Sequence, residues 1–314
     1  MMGNAVVSTD NRFIKSKRDN YFKRHWTLYV MLVLPAAYFV IFRYMPMPNI
    51  VIAFKDYNLF RGPWQSPWVG SRWFQEAFTS NDFYMVLKNT VVLNFLGLLA
   101  GFPAPVILAI VLNELTNGTY KRAAQTILYL PHFLSWIIIS GIAVQLFASS
   151  GIINTVLNGM GIPPVEFLTK NGLWITTYIG LGVWKEMGWG TIIYLAAITN
   201  INPELYEAAE VDGAGRFGKI WHITLPGLKP TIIVLLILNL GSILGSEFDR
   251  PYVMGNSLVR QVCDVISTYV YRVGIRGLKF SYTTAIGLFQ SVVCVLFLVG
   301  ANTLAEKTGE QGIW

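Results

Sequence analysis

Charged side chains are scarce in this chain of 314 residues, where Asp, Glu, Lys and Arg together make up only 13%. An average soluble domain has about twice that share, so the composition excludes an ordinary soluble enzyme. Cysteine occurs twice and histidine three times, and their spacing indicates neither a disulfide framework nor a set of metal ligands. Hydrophobic residues make up 54% of the chain, and we therefore expect an integral membrane protein.

The apolar residues gather into long blocks that could each cross a bilayer as a helix. There are six such blocks of 16 to 26 residues, and four of them contain no charged residue. The blocks are 26–44, 89–112, 127–148, 173–198, 231–246 and 283–304. We therefore predict an all-α integral membrane fold with six transmembrane helices in one membrane domain, 26–304.

The basic residues suggest how these helices are oriented. The chain has a net charge of +7, and six of its 24 Lys and Arg residues lie within 1–25, directly before the first block. Such clustering is typical of the cytoplasmic flank of a membrane span, and it accounts for the charge without a nucleic-acid partner. We therefore predict a cytoplasmic basic N-tail, 1–25, and, with an even number of spans, a cytoplasmic C-tail, 305–314.

Two external segments contain features suited to contact with a partner or with the membrane surface. The first holds Trp64, Trp68 and Trp73 among turn-forming prolines and glycines. In another, apolar residues from 262 to 273, including Tyr269, recur with helical spacing and predict an amphipathic helix. We expect these four aromatic residues to contact an external partner or to shape the mouth of a cavity. Alternatively, the amphipathic helix lies on the bilayer surface.

The segment 203–226, between the fourth and fifth blocks, predicts two short helices at a turn. Asn202 is suited to cap the first helix and Pro203 to begin it, while Gly213 is suited to end it. The glycines here also match the spacing of nucleotide-binding loops. However, Ile220 follows Lys219 where a phosphate-binding loop needs Ser or Thr, and the preceding residues are helical, so no nucleotide site is predicted.

The same segment resembles the EAA loop of the permeases of ABC importers, and every consensus position of that motif is filled. The resemblance implies that the loop forms coupling helices, which sit in a cleft of a cytoplasmic ATPase subunit and transmit its closure to the membrane helices. The residues concerned are Glu207, Ala208, Ala209, Gly213, Ile223, Leu225 and Pro226.

The resemblance extends over nearly the whole chain and indicates a narrower group of permeases than the loop alone does. Further similar stretches are 52–58, 66–70, 89–90, 101–105, 129–136, 183–190, 264–274 and 312–314. They resemble the carbohydrate-uptake branch, in particular permeases for complex oligosaccharides and polysaccharides such as alginate. The resemblance implies location in the bacterial inner membrane and transport by alternating access. It also implies a second permease, an ATPase homodimer and an extracytoplasmic solute-binding protein as partners, with ATP and Mg²⁺ bound only by the ATPases.

Polar residues inside the blocks are the candidates for a substrate path, because burying them in a bilayer is costly. Lys185 and Glu186 lie near the middle of the fourth block, between Trp184 and Trp189, whose flat faces suit stacking on sugar rings. The alternative is a structural ion pair. Other candidates, for which an interhelical hydrogen bond is the alternative, are Asn239, Ser242, Glu247, Gln290, His132 and Gln145.

The substrate itself is left open by the sequence. External segments hold ten Lys and Arg against six Asp and Glu, and Lys185 adds a cation in the membrane, so an acidic saccharide is one option. A small neutral oligosaccharide or a peptide-like solute is the first alternative. A six-span membrane enzyme is the alternative from another class, but no Asp lies within a block and we predict no catalytic, cofactor-binding or metal-binding residue.

Overall fold

The computed structural model describes residues 24–245, 247–307, 309, 312 and 313, and these are nearly all helical. Most of the N-tail and much of the C-tail therefore lie outside the described residues. No strand occurs within the described part, and Lys55 and Trp68 form an isolated antiparallel bridge. The predicted all-α membrane fold is confirmed. The α-helices are α1 (Trp26–Phe39), α2 (Gly62–Gln65), α3 (Arg72–Thr79), α4 (Asn81–Gly101), α5 (Pro103–Asn113), α6 (Gly118–Tyr129), α7 (Trp136–Phe147), α8 (Ile152–Gly159), α9 (Asn171–Thr199), α10 (Pro203–Val211), α11 (Arg216–Lys219), α12 (Leu225–Gly241), α13 (Asp249–Met254), α14 (Arg260–Cys263), α15 (Ile266–Val270) and α16 (Phe280–Lys307).

Five helical stretches in the described part are long and apolar enough to cross a membrane. They are Trp26–Phe54, Asn81–Asn113, Trp136–Gly159, Arg216–Gly241 and Phe280–Lys307. The fourth predicted span corresponds to α9, whose 29 residues extend ~44 Å, well over a bilayer core. Lys185, Glu186 and several glycines and tryptophans lower its mean hydropathy, so α9 is not among the five. The count of six spans stays a prediction.

The third predicted span, 127–148, is wrong as a single helix. The chain leaves α6 at Tyr129, forms a 3₁₀ turn over Leu130–Phe133, and is extended at Leu134 before α7 begins. Pro131 explains the break, because it has no N–H to continue an α-helix. The Ser135 hydroxyl then accepts a 3.3 Å hydrogen bond from the Ile138 N–H and caps the new helix.

The fifth predicted span, 231–246, begins much earlier than expected. The second short helix of the 203–226 loop is not separate, because α11, a π-helical turn at Ile220–Thr224 and α12 run together to Gly241. The wide π turn directly precedes Leu225-Pro226, where proline cannot donate an α-helical hydrogen bond. The loop is therefore joined directly to the fifth span.

The external helix predicted over 262–273 is also interrupted. The chain is extended at Asp264 and Val265 between α14 and α15, and a π-helical turn follows. The buried Asp264 carboxylate holds this bend by pairing with Arg272 and by accepting a 2.8 Å hydrogen bond from the Thr268 hydroxyl. The Asn89 side chain in α4 donates to the Asp264 carbonyl at 2.9 Å. This segment therefore packs against its own chain.

Helix α9 lies at the centre of the molecule. It contributes to an apolar cluster with α4, α7 and the external segment, around Trp174, and to another with α5 and α12, around Leu228. A further cluster joins α3, α4, α15 and α16 around Phe83. Helix α1, in contrast, buries no residue against the described part of the chain. The spans other than α1 thus form one bundle, in which α9 packs against α4, α5 and α12, and α16 packs against α12.

A glycine in α9 allows the closest helix approach in this bundle, and its substitution tests the packing. A Cβ at Gly188 would overlap the Leu128 carbonyl group of α6, whereas a Cβ at Gly287 in α16 would meet nothing within 4 Å. We expect Gly188→Ala to destabilise the chain by roughly 1–3 kcal/mol through overpacking, and Gly287→Ala to be neutral or slightly stabilising. Thermal unfolding of the purified variants in detergent measures both. Equal stability of the two variants would contradict the packing described here.

Candidate functional site

A cavity of about 440 Å³ lies between α4, α5, α9 and α12, and residues 242, 243, 245 and 250 also line it. It falls in the usual size range of small-molecule sites. Four of the sequence-predicted path residues line it: Glu186, Trp189, Asn239 and Ser242. This cavity is the candidate functional site.

One face of α9 forms the longest wall of the cavity. Gly182, Glu186, Trp189 and Ile193 line it at helical spacing, together with Gly190. Glycines at 97 and 101 in α4 also line it, opposite this face. Glycines on both facing helices therefore contribute to the space of the cavity.

Lys185 does not line the cavity, which corrects its assignment to the substrate path. Its side chain is buried, and Nζ donates a 2.7 Å hydrogen bond to the carbonyl oxygen of His132, at the break between α6 and α7. The same Nζ lies 3.1 Å from Oε1 of Glu186 and 5.6 Å from the centre of the Trp136 ring. Because adjacent helical residues point about 100° apart, Glu186 can face the cavity while Lys185 faces α6 and α7.

Glu186 and Trp189 are both joined to His132. Oε2 of Glu186 lies 2.8 Å from Nδ1 of His132, and the imidazole ring stacks on Trp189 with centroids 4.4 Å apart and planes within 3°. Phe133 adds an edge contact to the indole at 5.7 Å. Trp189 nevertheless remains 44% exposed, so the cavity has an aromatic surface that a sugar ring can approach.

The other sequence-predicted path residues lie outside the cavity. Trp184 lines an apolar groove between α4 and α9 on a different side. Gln290 donates a 2.6 Å hydrogen bond to the Leu244 carbonyl, which is the interhelical role given above as its alternative. The Glu247 carboxylate accepts a hydrogen bond from the Trp136 indole N–H. Neither Glu247 nor Gln290 is among the residues that line the cavity.

Arg250 lines the cavity, although the sequence analysis treated it only as one of the external cations. Its guanidinium lies over the rings of Tyr178 and Trp136, at 3.7 and 4.9 Å from their centres, and donates to the Tyr178 carbonyl. Only its position, directly after an apolar block, could have indicated this placement. The hydrogen bond to the Tyr178 carbonyl places the Arg250 side chain against α9.

The predicted external contact residues fall into two groups. Trp64 and Trp68 are 67% and 63% exposed, and Trp68 stacks on Phe54. The Trp73 indole is half-buried and donates a 2.9 Å hydrogen bond to the Lys55 carbonyl. Tyr269 is buried and its hydroxyl lies 3.3 Å from that of Tyr282, so the expectation that it faces a partner is corrected. The apolar face of its helix is used by the chain's own core.

The first helix of the 203–226 loop and the turn after it have the local structure that their residues predict. The Asn202 side chain caps α10 by accepting a 3.1 Å hydrogen bond from the Glu204 N–H, and Gly213 follows with φ +76°. Lys219 closes the turn through a 2.6 Å ion pair with Glu210, which lowers the pKa of that carboxyl group. Large apolar side chains are nevertheless exposed here: Leu205, Val211, Phe217 and Trp221 at 52%, 89%, 87% and 69%.

None of these four exposed apolar residues is among the consensus positions of the loop motif. Glu207 and Ala208 lie on the exposed side of α10 and Ala209 is half-buried. Ile223 and Leu225 are also half-buried, whereas Pro226 is exposed. The loop thus exposes more apolar surface than proteins usually expose to water.

Comparison with known proteins gives consistent similarity over nearly the whole chain. The family model described as "Binding-protein-dependent transport system inner membrane component" matches residues 94–308. Protein LplB of Bacillus subtilis (strain 168) is 46% identical over 293 residues, 93% of this chain and 92% of that protein. The polygalacturonan/rhamnogalacturonan transport system permease protein YteP of the same strain is 44% identical, covering 91% of this chain and 90% of that protein.

Two solved structures are similar in fold and sequence. One is a bacterial ABC transporter involved in the import of the acidic polysaccharide alginate, with 41% identity and a TM-score of 0.84 over 93% of this chain and 99% of that chain. The other is a bacterial alginate ABC transporter in complex with an alginate pentasaccharide-bound periplasmic protein, with 40% identity and a TM-score of 0.85 over 94% and 99%.

The buried Lys185 provides a test of the helix junction behind the cavity. Lys185→Met removes the donor to the His132 carbonyl and leaves that carbonyl without this partner, so we expect a loss of roughly 1–3 kcal/mol in stability. Lys170→Met is the matched control, because Lys170 forms an exposed pair with Glu166 at 3.8 Å and such pairs contribute at most about 1 kcal/mol. Thermal unfolding in detergent compares them. A Lys185→Met chain as stable as the control would contradict the structural role.

Proposed function

The chain belongs to the family of binding-protein-dependent transport system inner membrane components, and we propose that it moves a complex saccharide across the bacterial inner membrane by alternating access. It is a multi-pass permease subunit of an ABC importer for sugars or oligosaccharides. To this role we add the transport mechanism, the class of saccharide and the remaining partner subunits. Both termini are proposed to be cytoplasmic.

The cavity lined by α4, α5, α9 and α12 is the observation on which the proposal mainly depends. It combines an exposed indole, that of Trp189, with polar groups from Glu186, Asn239 and Ser242. Flat aromatic surfaces with a few polar groups can hold a sugar ring while allowing it to slide onward. A cavity inside the bundle, enclosed by the helices that would rearrange, suits a substrate that passes through the membrane.

The 203–226 loop supports the coupling part of the proposal. Leu205, Val211, Phe217 and Trp221 expose apolar surface on this loop, and exposed apolar patches mark sites of contact with another protein or with a membrane. We propose that each of two ATPase subunits receives one such loop, from this chain or from a second, related permease. ATP and Mg²⁺ would bind to the ATPases, and this chain would bind no cofactor.

The external face supports docking of a solute-binding protein. Trp64 and Trp68 are largely exposed on the segment that follows the first span, where Lys55 Nζ donates a 2.8 Å hydrogen bond to the Trp64 carbonyl and helps to hold the turn. Aromatic side chains give large contact areas with little loss of rotamer entropy. We propose that these two residues contact the binding protein.

The substrate is proposed to be an acidic oligosaccharide or polysaccharide fragment. A relative named for polygalacturonan/rhamnogalacturonan transport and a structural neighbour involved in alginate import support this class. A small neutral oligosaccharide remains the alternative within the same transport class. No observation on the described residues favours the peptide-like solute or the six-span enzyme.

Coupling is tested by changes confined to the loop. Gly213→Pro is incompatible with φ +76°, since proline fixes φ near −65°, and Glu207→Lys reverses a charge on the exposed side of α10. We expect substrate-stimulated ATPase activity and uptake by the reconstituted complex to fall about tenfold or more, while the chain still inserts into the membrane.

Glu114→Lys is the matched control for charge, because Glu114 is exposed at the end of α5 and outside the loop. It should leave ATPase stimulation near that of the unmodified complex. Normal stimulation and uptake in both loop variants would refute the coupling assignment.

Docking is tested by photo-crosslinking in proteoliposomes that contain the complete importer. A photoreactive amino acid at position 64 or 68 should crosslink to the binding protein in the presence of substrate. The same label at position 73 should give little product, because Trp73 faces the Lys55 carbonyl. If positions 64 and 68 crosslink only to lipid and not to the binding protein, these residues contact the membrane instead.

A further inference from the structure

Two ionic side chains line the cavity within the described part of the chain, Glu186 and Arg250. The Glu186 carboxylate is already engaged at both oxygens, since Oε1 lies 3.1 Å from Lys185 Nζ and Oε2 lies 2.8 Å from His132 Nδ1. Lys185, the cation that the sequence placed in the path, is likewise used within the protein. The charge available to a substrate is therefore that of Arg250.

Arg250 has no ion-pair partner among the described residues. The carboxylates of the ion pairs found there belong to Glu166, Glu186, Glu210 and Asp264, and none of them pairs with Arg250. The nearby Glu247 carboxylate accepts a hydrogen bond from the Trp136 indole. Nε of Arg250 is a buried donor without a hydrogen-bond partner in the described part of the chain. A half-buried cation without an ion-pair partner and a buried N–H without an acceptor both favour binding of an anion.

The guanidinium of Arg250 is held by its neighbours but has more donors than they use. Its Cζ lies over the rings of Tyr178 and Trp136, and one Nη donates to the Tyr178 carbonyl. A guanidinium carries five coplanar N–H donors, and a carboxylate accepts two of them side by side. Asn239 and Ser242, the neutral polar residues of the cavity, are suited to hydrogen bonds with sugar hydroxyls instead.

We propose that Arg250 is the specificity-determining residue that recognises the carboxylate of an acidic saccharide in this cavity. This inference rests on the proposed function of the chain as a saccharide permease. It replaces Lys185 by Arg250 as the cation that selects the substrate.

Gly182 in α9 is the positioning residue for this group. A Cβ at position 182 would overlap Nη1, Nη2 and Cζ of Arg250, so the missing side chain is what lets the guanidinium lie against α9. Gly182→Ala therefore displaces the cation without removing its charge, which separates position from net charge.

The test uses the complete reconstituted importer with its binding protein at saturation. The probes are a galacturonate trimer and its methyl ester, which have the same sugar chain with and without carboxylate charge. We expect Arg250→Gln to lower the acid-to-ester ratio of initial uptake rates by about 10- to 100-fold, the range for a lost hydrogen bond to a charged group. The binding protein is the same throughout, so its own preference cancels between variant and parent.

Further variants keep the result interpretable. Gly182→Ala should lower the same ratio, and Arg250→Lys, which keeps the charge but not the planar fork, should lower it less than Arg250→Gln. Arg276→Gln is the matched control, because Arg276 is exposed in the π-helical turn that follows α15 and does not line the cavity. It should leave the ratio unchanged.

An unchanged ratio in Arg250→Gln would overturn the assignment, and so would an equal fall in uptake of acid and ester, which indicates a purely structural role. If Arg250→Gln does not assemble, an unchanged ratio in both Arg250→Lys and Gly182→Ala would overturn it instead. Failure of the unmodified importer to transport either probe or any other saccharide would instead refute the proposed function. The two failures are thus distinguishable.

Discussion

Polar groups within the bilayer must be satisfied inside the protein, because the hydrocarbon core offers no hydrogen-bonding partner. In this chain the requirement is most severe at the break between α6 and α7, where Pro131 ends the regular helix. Lys185 reaches from α9 to the His132 carbonyl, and Glu186 then balances Lys185 and also contacts His132. These contacts fix the rotation of α9 about its axis. That rotation determines which residues of α9 line the cavity.

Local structure could be predicted from the sequence wherever a few neighbouring residues determine it. The cap at Asn202, the helix that begins at Pro203 and the turn at Gly213 need only backbone hydrogen bonds and one positive φ. The membrane character and all-α fold follow from the long apolar blocks. The approximate positions of the spans follow from the same signal, because each block must match the thickness of a bilayer.

The remaining features depend on contacts between distant parts of the chain. The break in the third span is stabilised by Lys185, which lies more than 50 residues away, and the bend at Asp264 is held by Arg272 and by Asn89 in α4. Apolar spacing in the external segment correctly indicated a buried face, but not which surface covers it. Arg250 was overlooked because its burial requires the chain to turn back toward Tyr178.

The continuous helical stretch from Arg216 to Gly241 links the loop to the cavity, since Phe217 lies near one end and Asn239 near the other. Leu228, which is fully buried against α5 and α9, is eleven residues from each of these two positions. If the stretch moves as a rigid body held at Leu228, it is a lever with two equal arms of ~16 Å. A displacement of the loop would then produce a displacement of similar size and opposite direction at the cavity wall. Such a linkage would transmit motion one to one, with no amplification, and the π turn at Ile220–Thr224 is the place where bending would diminish it.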